Sequence, residues 1–395
     1  MEPFGLILLI VFFLRRLLDQ PNPETDLVKL NRQAERFAAQ GNYVQAEDKL
    51  QRLLRIMERR QGPYALEMAP YLRRLAGLKM DQDDKEAAAL LVQRVLAIQE
   101  KHIGSNSPDL LSTLDWLRQL SHARGDFDSA VALVRRMLAI LAAAYGDDSW
   151  RATNVYDTLG RLLFEKGELE QAVWAFRRAL DIREKCTGGS ERDLALSLYN
   201  LAIALSEEGK WDDAEPLHRR ALSIRERVQP GSPELALSLS GLAAVLWQRE
   251  DHVGAVTLFR RSIEILESSV GPDDPNTTAV ISRLGQLLTQ KGDYESAEPL
   301  LRRVVAAEES GPPRPLALAT AIENLEFLLR LNGESAESVA LLRRALEIKG
   351  KELGPDHPAM AIPLRNLVPG ALATTQLRRG RSRVAPGSDH WRARR

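Results

Sequence analysis

Apolar residues return along this chain at helical spacing. Ala172, Phe176, Ala179 and Leu180 stand at i, i+4, i+7 and i+8, and Ala214, Leu217, Ala221 and Leu222 nearly repeat the pattern. Such spacing lays one apolar stripe along an α-helix. A second amphipathic stretch precedes it, as from Leu194 to Leu205, and no stretch alternates as a strand does. Each unit therefore predicts two helices joined by a short turn.

One phrase marks that turn: a Gly or polar residue, an aromatic, polar residues, then Ala. It occurs at Gly41, Tyr43 and Ala46, at Gly125, Phe127 and Ala130, at Gly209, Trp211 and Ala214, and at Gly292, Tyr294 and Ala297. Gly167 and Ala172 carry it without the aromatic. Weaker copies end at Ala87 and Ala255, and the last has Ser338 in place of Ala. From Ala46 to Ser338 the interval between successive anchors hardly changes. Eight units at so constant a period specify a solenoid. The turn Gly accepts the positive φ that chain reversal needs. Between units, as from Gly271 to Pro275 and Gly354 to Pro358, Gly stops one helix and a polar residue caps the next. Pro then takes the first helical position, where no N–H is required.

These residues resemble the tetratricopeptide repeat. Its signature is Leu and a small residue on the first helix, then Ala, an aromatic and Ala on the second. Leu159, Gly160, Ala172, Phe176 and Ala179 meet it at the expected offsets. The usual unit is about 34 residues long. The longer unit here, and the stretch from Ala214 to Glu226, look like the kinesin light chain type. The resemblance implies an all-α fold, a right-handed superhelical solenoid of about eight helix-turn-helix repeats. It places the repeats at 27–350, a capping helix at 351–367 and a basic disordered tail at 368–395.

The resemblance also implies a function. In this family the first helices line a concave groove that holds an extended peptide or a partner helix. Asn residues just ahead of the Leu-small pair contact the peptide backbone, since an amide both donates and accepts. The equivalent positions here are Arg74, Trp116, Thr158, Asn200, Gly241, Arg283, Asn324 and Asn366, so three of eight keep the Asn. Asp115, Tyr199 and Trp247 add candidate anchors, aromatics and Arg being enriched at hot spots. The expected groove set is Arg74, Asp115, Trp116, Tyr199, Asn200, Trp247, Arg283, Asn324 and Asn366, with a protein or peptide as partner. Packing between repeats is the competing reading for Trp116, Tyr156 and Trp247.

Arginine pairs follow six of the anchors, at 135–136, 177–178, 219–220, 260–261, 302–303 and 343–344. On consecutive helices they predict a solvated ridge laced by i, i+4 pairs such as Arg177–Asp181, Arg260–Glu264 and Arg343–Glu347. The sharper alternative is a docking ridge for an anionic partner.

The segment from Met1 to Leu18 differs from the rest. Phe4 to Leu14 carries no charge, and Arg15 and Arg16 follow. A helix of that length is about 16 Å long, against about 30 Å of bilayer hydrocarbon. Three readings stand: a short membrane anchor, an apolar cap on the first repeat, or the remnant of a longer span. As an anchor it places the repeats on the cytoplasmic side of a membrane, by the basic-residue bias. Residues 19–26 read as a linker in which Pro21 and Pro23 break any helix.

Charge sharpens this picture. The 54 basic and 54 acidic residues cancel. Yet from Val368 onward there are seven Arg against one Asp, so an acidic body is offset by a basic tail. The cluster at Arg378, Arg379, Arg381 and Arg383 suits anionic lipid or phosphates. This gives a second function class, a regulator whose tail binds nucleic acid or lipid while the repeats mediate oligomerisation. The balanced total makes nucleic acid the less favoured partner.

The chemistry of an enzyme is not legible. None of the six His stands in a metal-binding spacing, and the single cysteine, Cys186, excludes an intrachain disulfide. No phosphate-binding loop or nucleophile elbow occurs. The expectation is a non-enzymatic scaffold with no cofactor and no metal.

Overall fold

The computed structural model describes residues 23–186, 189–333, 335–361 and 363–366. Among the described residues every regular element is helical. The chain divides into two compact units, Met1–Gly189 and Ser190–Arg395.

The first unit holds four helix pairs: α1 (Pro23–Ala39) with α2 (Tyr43–Gln61), α3 (Ala69–Asp81) with α4 (Lys85–Ile103), α5 (Leu111–Ala123) with α6 (Phe127–Tyr145), and α7 (Thr153–Glu165) with α8 (Leu169–Lys185). The second unit also holds four: α9 (Glu191–Glu207) with α10 (Trp211–Val228), α11 (Pro233–Gln248) with α12 (His252–Ser269), α13 (Pro275–Lys291) with α14 (Tyr294–Ser310), and α15 (Pro315–Leu331) with α16 (Ser335–Leu353). Within each unit every helix packs on the next, and the partners of one pair share the larger contact. In the second unit first helices also meet one another, α9 with α11 and α13 with α15.

The turn phrase works as its residue types require. Asn42, Asp84, Asp126, Asp251 and Asp293 cap the second helices, each side chain accepting a backbone N–H three residues on. The anchor alanines 46, 130, 172, 214, 255 and 297 are buried completely. One register needs correction. By its distance from the Asp84 cap, the anchor of the second repeat is Ala88, fully buried, and not the half-buried Ala87. Anchors 46, 88 and 130 then fall on one even period. Small residues permit close approach: a Cβ on Gly160 would stand 2.6 Å from the Phe176 ring. Two turns lack Gly, and there Asp83 and Glu250 take φ of 58° and 66°.

Two boundaries move. Pro23 does not break a helix; it opens α1, so the segment expected as a linker is already helical from residue 23. Pro is compatible with the first turn because its missing N–H has no intrahelical partner there. At the other end α16 runs to Leu353, and Pro358–Met360 forms a 3₁₀ turn. Met360 there packs on Leu342 and Leu346, covering apolar surface of the last pair. The apolar segment 1–18 and the tail from 368, with Arg378, Arg379, Arg381 and Arg383, lie outside the described residues.

The ridge also differs from expectation. Arg219 with Glu215 and Arg302 with Glu298 at 2.9 Å do make i, i+4 pairs. Arg177, Arg260 and Arg343 do not make the ones their spacing suggests, and Glu347 binds Lys351 at 2.7 Å instead. The second arginine of four of these pairs, and Arg94 at the same position of the second repeat, reach back to an acid on the preceding second helix. Arg94 bonds Glu58 and Arg136 bonds Glu100 in the first unit. In the second unit Arg261 bonds Glu226 at 2.8 Å, Arg303 bonds Glu267 at 2.6 Å, and Arg344 bonds Glu309 at 2.5 Å. Where the acid position is Ala142, Arg178 takes Asp148 of the loop at 3.1 Å. Consecutive second helices lie close enough for this reach.

Candidate functional site

In the first unit the expected groove residues are largely committed to one another. Arg74 donates to Asn31 at 2.6 Å and to Glu35 at 2.7 Å, joining α3 to α1. Asp115 accepts from Arg118 and from Gln119, both at 2.7 Å. Trp116 is half-buried against the core that Leu114, Leu117 and Met137 share. Asp157 and Arg183 form a bridge of 2.6 Å with both side chains 10% exposed, and Arg183 also donates to Asn154 at 2.7 Å.

The second unit is built differently. Tyr199 on α9 lies edge-on to the His218 ring, with centroids 6.0 Å apart, and the Arg225 guanidinium stands 4.8 Å over it. His218 is fully buried on α10, and neither ring nitrogen has a hydrogen-bond partner. Burial, aided by the Arg225 charge, lowers its pKa to about 4. Arg225 is 3% exposed and donates to the Ser238 hydroxyl and the Glu234 carbonyl, each at 2.6 Å. Desolvation lowers the Arg225 pKa. Burial raises that of the Tyr199 hydroxyl, while Arg225 and Arg283 pull it down.

Asn200 is half-buried beside Tyr199, and among the described residues no hydrogen bond occupies its amide. Arg283 is exposed on α13 with no ion pair among them. Asn324 is half-buried and donates to the Ser282 hydroxyl at 3.1 Å, and Asn366 is half-buried past the last pair. Trp247 leaves the set: it is 7% exposed and packs in the core, with His252 4.5 Å away ring to ring. A buried indole cannot meet a partner. Tyr199 and Asn200 are neighbours on α9, and Arg283 stands on α13, two first helices further on.

Sequence reasoning missed the polar contacts that join the two helices of a pair in both units. Their signal was present. Arg183, Arg225 and Lys349 each stand at the same interval after the first-helix side chain they contact, Asp157, Tyr199 and Glu323. Among the described residues no cluster of metal-ligating side chains occurs, and no helix is long and apolar enough to cross a membrane.

Tandem helix pairs on one nearly constant period, capped by Asn or Asp and anchored by Ala, define a helical-repeat protein. The family model described as the tetratricopeptide repeat matches residues 110–185, 157–227, 193–268 and 234–310, and a second of that description matches 71–109 and 318–359. The chain belongs to the tetratricopeptide repeat family. No curated protein matches. Among solved structures, RapI in its apo form is 14% identical over 72% of this chain and 98% of its own, with a TM-score of 0.54. A tetratricopeptide repeat protein from Parabacteroides merdae is 15% identical over 77% and 99%, with a TM-score of 0.51. A Podosopora anserina protein assigned as a kinesin light chain is 22% identical over 53% and 97%, with a TM-score of 0.45. The first two of these neighbours share the fold.

Proposed function

We propose that this chain is a non-enzymatic scaffold that binds a peptide or a helix along the first-helix face of its second unit. Tyr199, Asn200 and Arg283 would hold the partner, with Asn324 and Asn366 extending the contact. One contrast carries the reading. On the first unit the polar groups of this face are spent on one another, as in Arg74 with Asn31 and Glu35. On the second, the Asn200 amide and the Arg283 guanidinium keep their hydrogen-bonding capacity, beside a half-buried Tyr199. An amide, a planar cation and a supported aromatic suit peptide recognition. Tetratricopeptide repeats generally bind protein partners, which supports this.

The tether belongs to the same proposal. The run from Phe4 to Leu14, followed by Arg15 and Arg16, would hold the repeats at the cytoplasmic face of a membrane.

The test of the face is direct. A peptide-display library panned on the full chain should enrich peptides that bind the wild type. Their affinity should fall about tenfold or more in a chain carrying Tyr199→Ala, Asn200→Ala and Arg283→Ala. Equal affinity for the triple variant rejects the face as the binding site.

A further inference from the structure

The first helix pair distributes its charge unevenly. Three of its acids turn toward the second pair, Glu35 binding Arg74 at 2.7 Å, Glu47 binding Lys79 at 2.8 Å, and Glu58 binding Arg94, while Asp26 and Asp48 stay on the outward end. Its cations stay on the opposite, outward end. Lys29, Arg32, Arg36 and Arg59 are exposed and make no ion pair among the described residues. Arg52 fixes which end this is. It holds the ridge position from which Arg94 and Arg136 reach back to a preceding helix. With no described helix pair ahead of α1, it turns to Asp48 of its own helix at 3.0 Å.

Two clefts open on this end. One, about 720 Å³, is lined by Lys29, Arg52, Arg55 and Arg59, which outnumber the carboxylates of Asp26 and Asp48, with Leu30 and Ile56 between them. The other, about 400 Å³, is lined by Lys29, Arg32 and Arg36 with Val28. Val28 is 52% exposed. Basic heads interleaved with apolar side chains, and no aromatic ring for stacking bases, fit a lipid interface better than a nucleic acid.

Sequence adds the second argument. Eight residues separate Leu14, the last of the uncharged run, from Pro23. A fully extended chain covers about 3.5 Å per residue, so that distance is at most about 30 Å. If the run enters a bilayer, the basic end is held near the headgroups.

We propose that the outward end of the first helix pair, through Lys29, Arg32, Arg36 and Arg59, docks on an anionic lipid surface. This rests on the tethering reading and adds an orientation to it: α1 and α2 face the membrane, and the first unit extends away from it.

Co-sedimentation of the full chain with vesicles tests this. Vesicles of phosphatidylcholine alone are compared with vesicles containing about one-third phosphatidylserine. The variant carries Lys29→Glu, Arg32→Glu, Arg36→Glu and Arg59→Glu. A second variant replaces the same four residues with Gln, and circular dichroism confirms the fold of both. The wild type should prefer the anionic vesicles about tenfold or more, and both variants should lose that preference while keeping their binding to neutral vesicles. Wild type and variants bound alike, with no preference for phosphatidylserine, would overturn the docking and leave the tether standing. No sedimentation of the wild type with either vesicle overturns both. A charge-dependent retention on RNA without a phosphatidylserine preference also overturns it.

Discussion

Gly241 lies directly against His218. A Cβ placed on Gly241 would stand 2.6 Å from the imidazole Cε1. The groove Asn of other repeats would clash here unless the ring moved, since the His218 imidazole of α10 occupies the space its side chain would need. Gly241→Ala should lower stability by about 1–2 kcal/mol through overpacking, although helix propensity alone favours Ala by about 1 kcal/mol. Denaturant unfolding of the full chain measures this. A gain in midpoint would show that the ring shifts freely.

The same ring has two buried nitrogens without partners. Equivalent positions of other repeats hold apolar side chains, among them Leu50, Phe176, Phe259 and Leu301, all buried. His218→Leu should then raise stability by about 1–3 kcal/mol, because a desolvated unpaired polar group is removed at similar volume. An unchanged midpoint would mean the ring is satisfied in solution.

His218 also sets an acid response. Its pKa is about 4 when folded, against about 6.5 when free, so between these values the unfolded chain binds the extra proton. Stability must fall as pH drops from about 6.5 toward 4, by about 3 kcal/mol at the lower end. The charges facing the ring oppose protonation, since Arg225 is cationic and Tyr199 is neutral in this range. Midpoints measured across this window should slope downward in the wild type. They should slope less in His218→Leu, and parallel slopes would assign the acid response to other groups.

Asp83 and Glu250 sit where other repeats place Gly, at φ of 58° and 66°. A left-handed backbone costs a residue with a Cβ about 1–2 kcal/mol, and Gly removes this at some cost in unfolded-state entropy. Asp83→Gly and Glu250→Gly should each stabilise by about 0.5–1 kcal/mol. Asp83 loses only an exposed pair with Lys85, at 3.3 Å. Scanning calorimetry of the single and double variants checks this, and no rise in either would remove strain as the account of these two turns.

The turn phrase, the anchors and the helix pairing were legible in the sequence because each is local. A cap, a Gly at positive φ and an Ala against its neighbour helix depend on residues a few positions apart. The register slip at Ala87 arose because Ala87, Ala88 and Ala89 all fit a small-residue position, and only the distance from the Asp84 cap decides among them. The candidate face was less legible. Whether Arg74 keeps its charge free depends on Asn31 and Glu35 of the preceding helix pair. Trp247 and Trp116 read alike in sequence, and burial alone separates them. The ridge arginines misled for the same reason, since Arg136, Arg261, Arg303 and Arg344 choose their partners across repeats.

Asp157 and Arg183 give the strongest single prediction in the first unit. Their bridge is 2.6 Å long, each side chain is 10% exposed, and Asn154 receives a second guanidinium bond. Removing one partner of such a pair leaves the other charge desolvated, which costs about 3–5 kcal/mol. Asp157→Ala should therefore destabilise far more than Glu267→Gln, which breaks a ridge pair with Arg303 on partly exposed side chains and should cost about 1 kcal/mol or less. Replacing both buried partners, as Asp157→Leu with Arg183→Met, should recover most of the loss, because apolar side chains of similar reach need no pairing. Chemical denaturation of the three variants separates the cases. A double variant as unstable as Asp157→Ala would show that the bridge itself, and not the avoidance of an orphaned charge, holds α7 to α8.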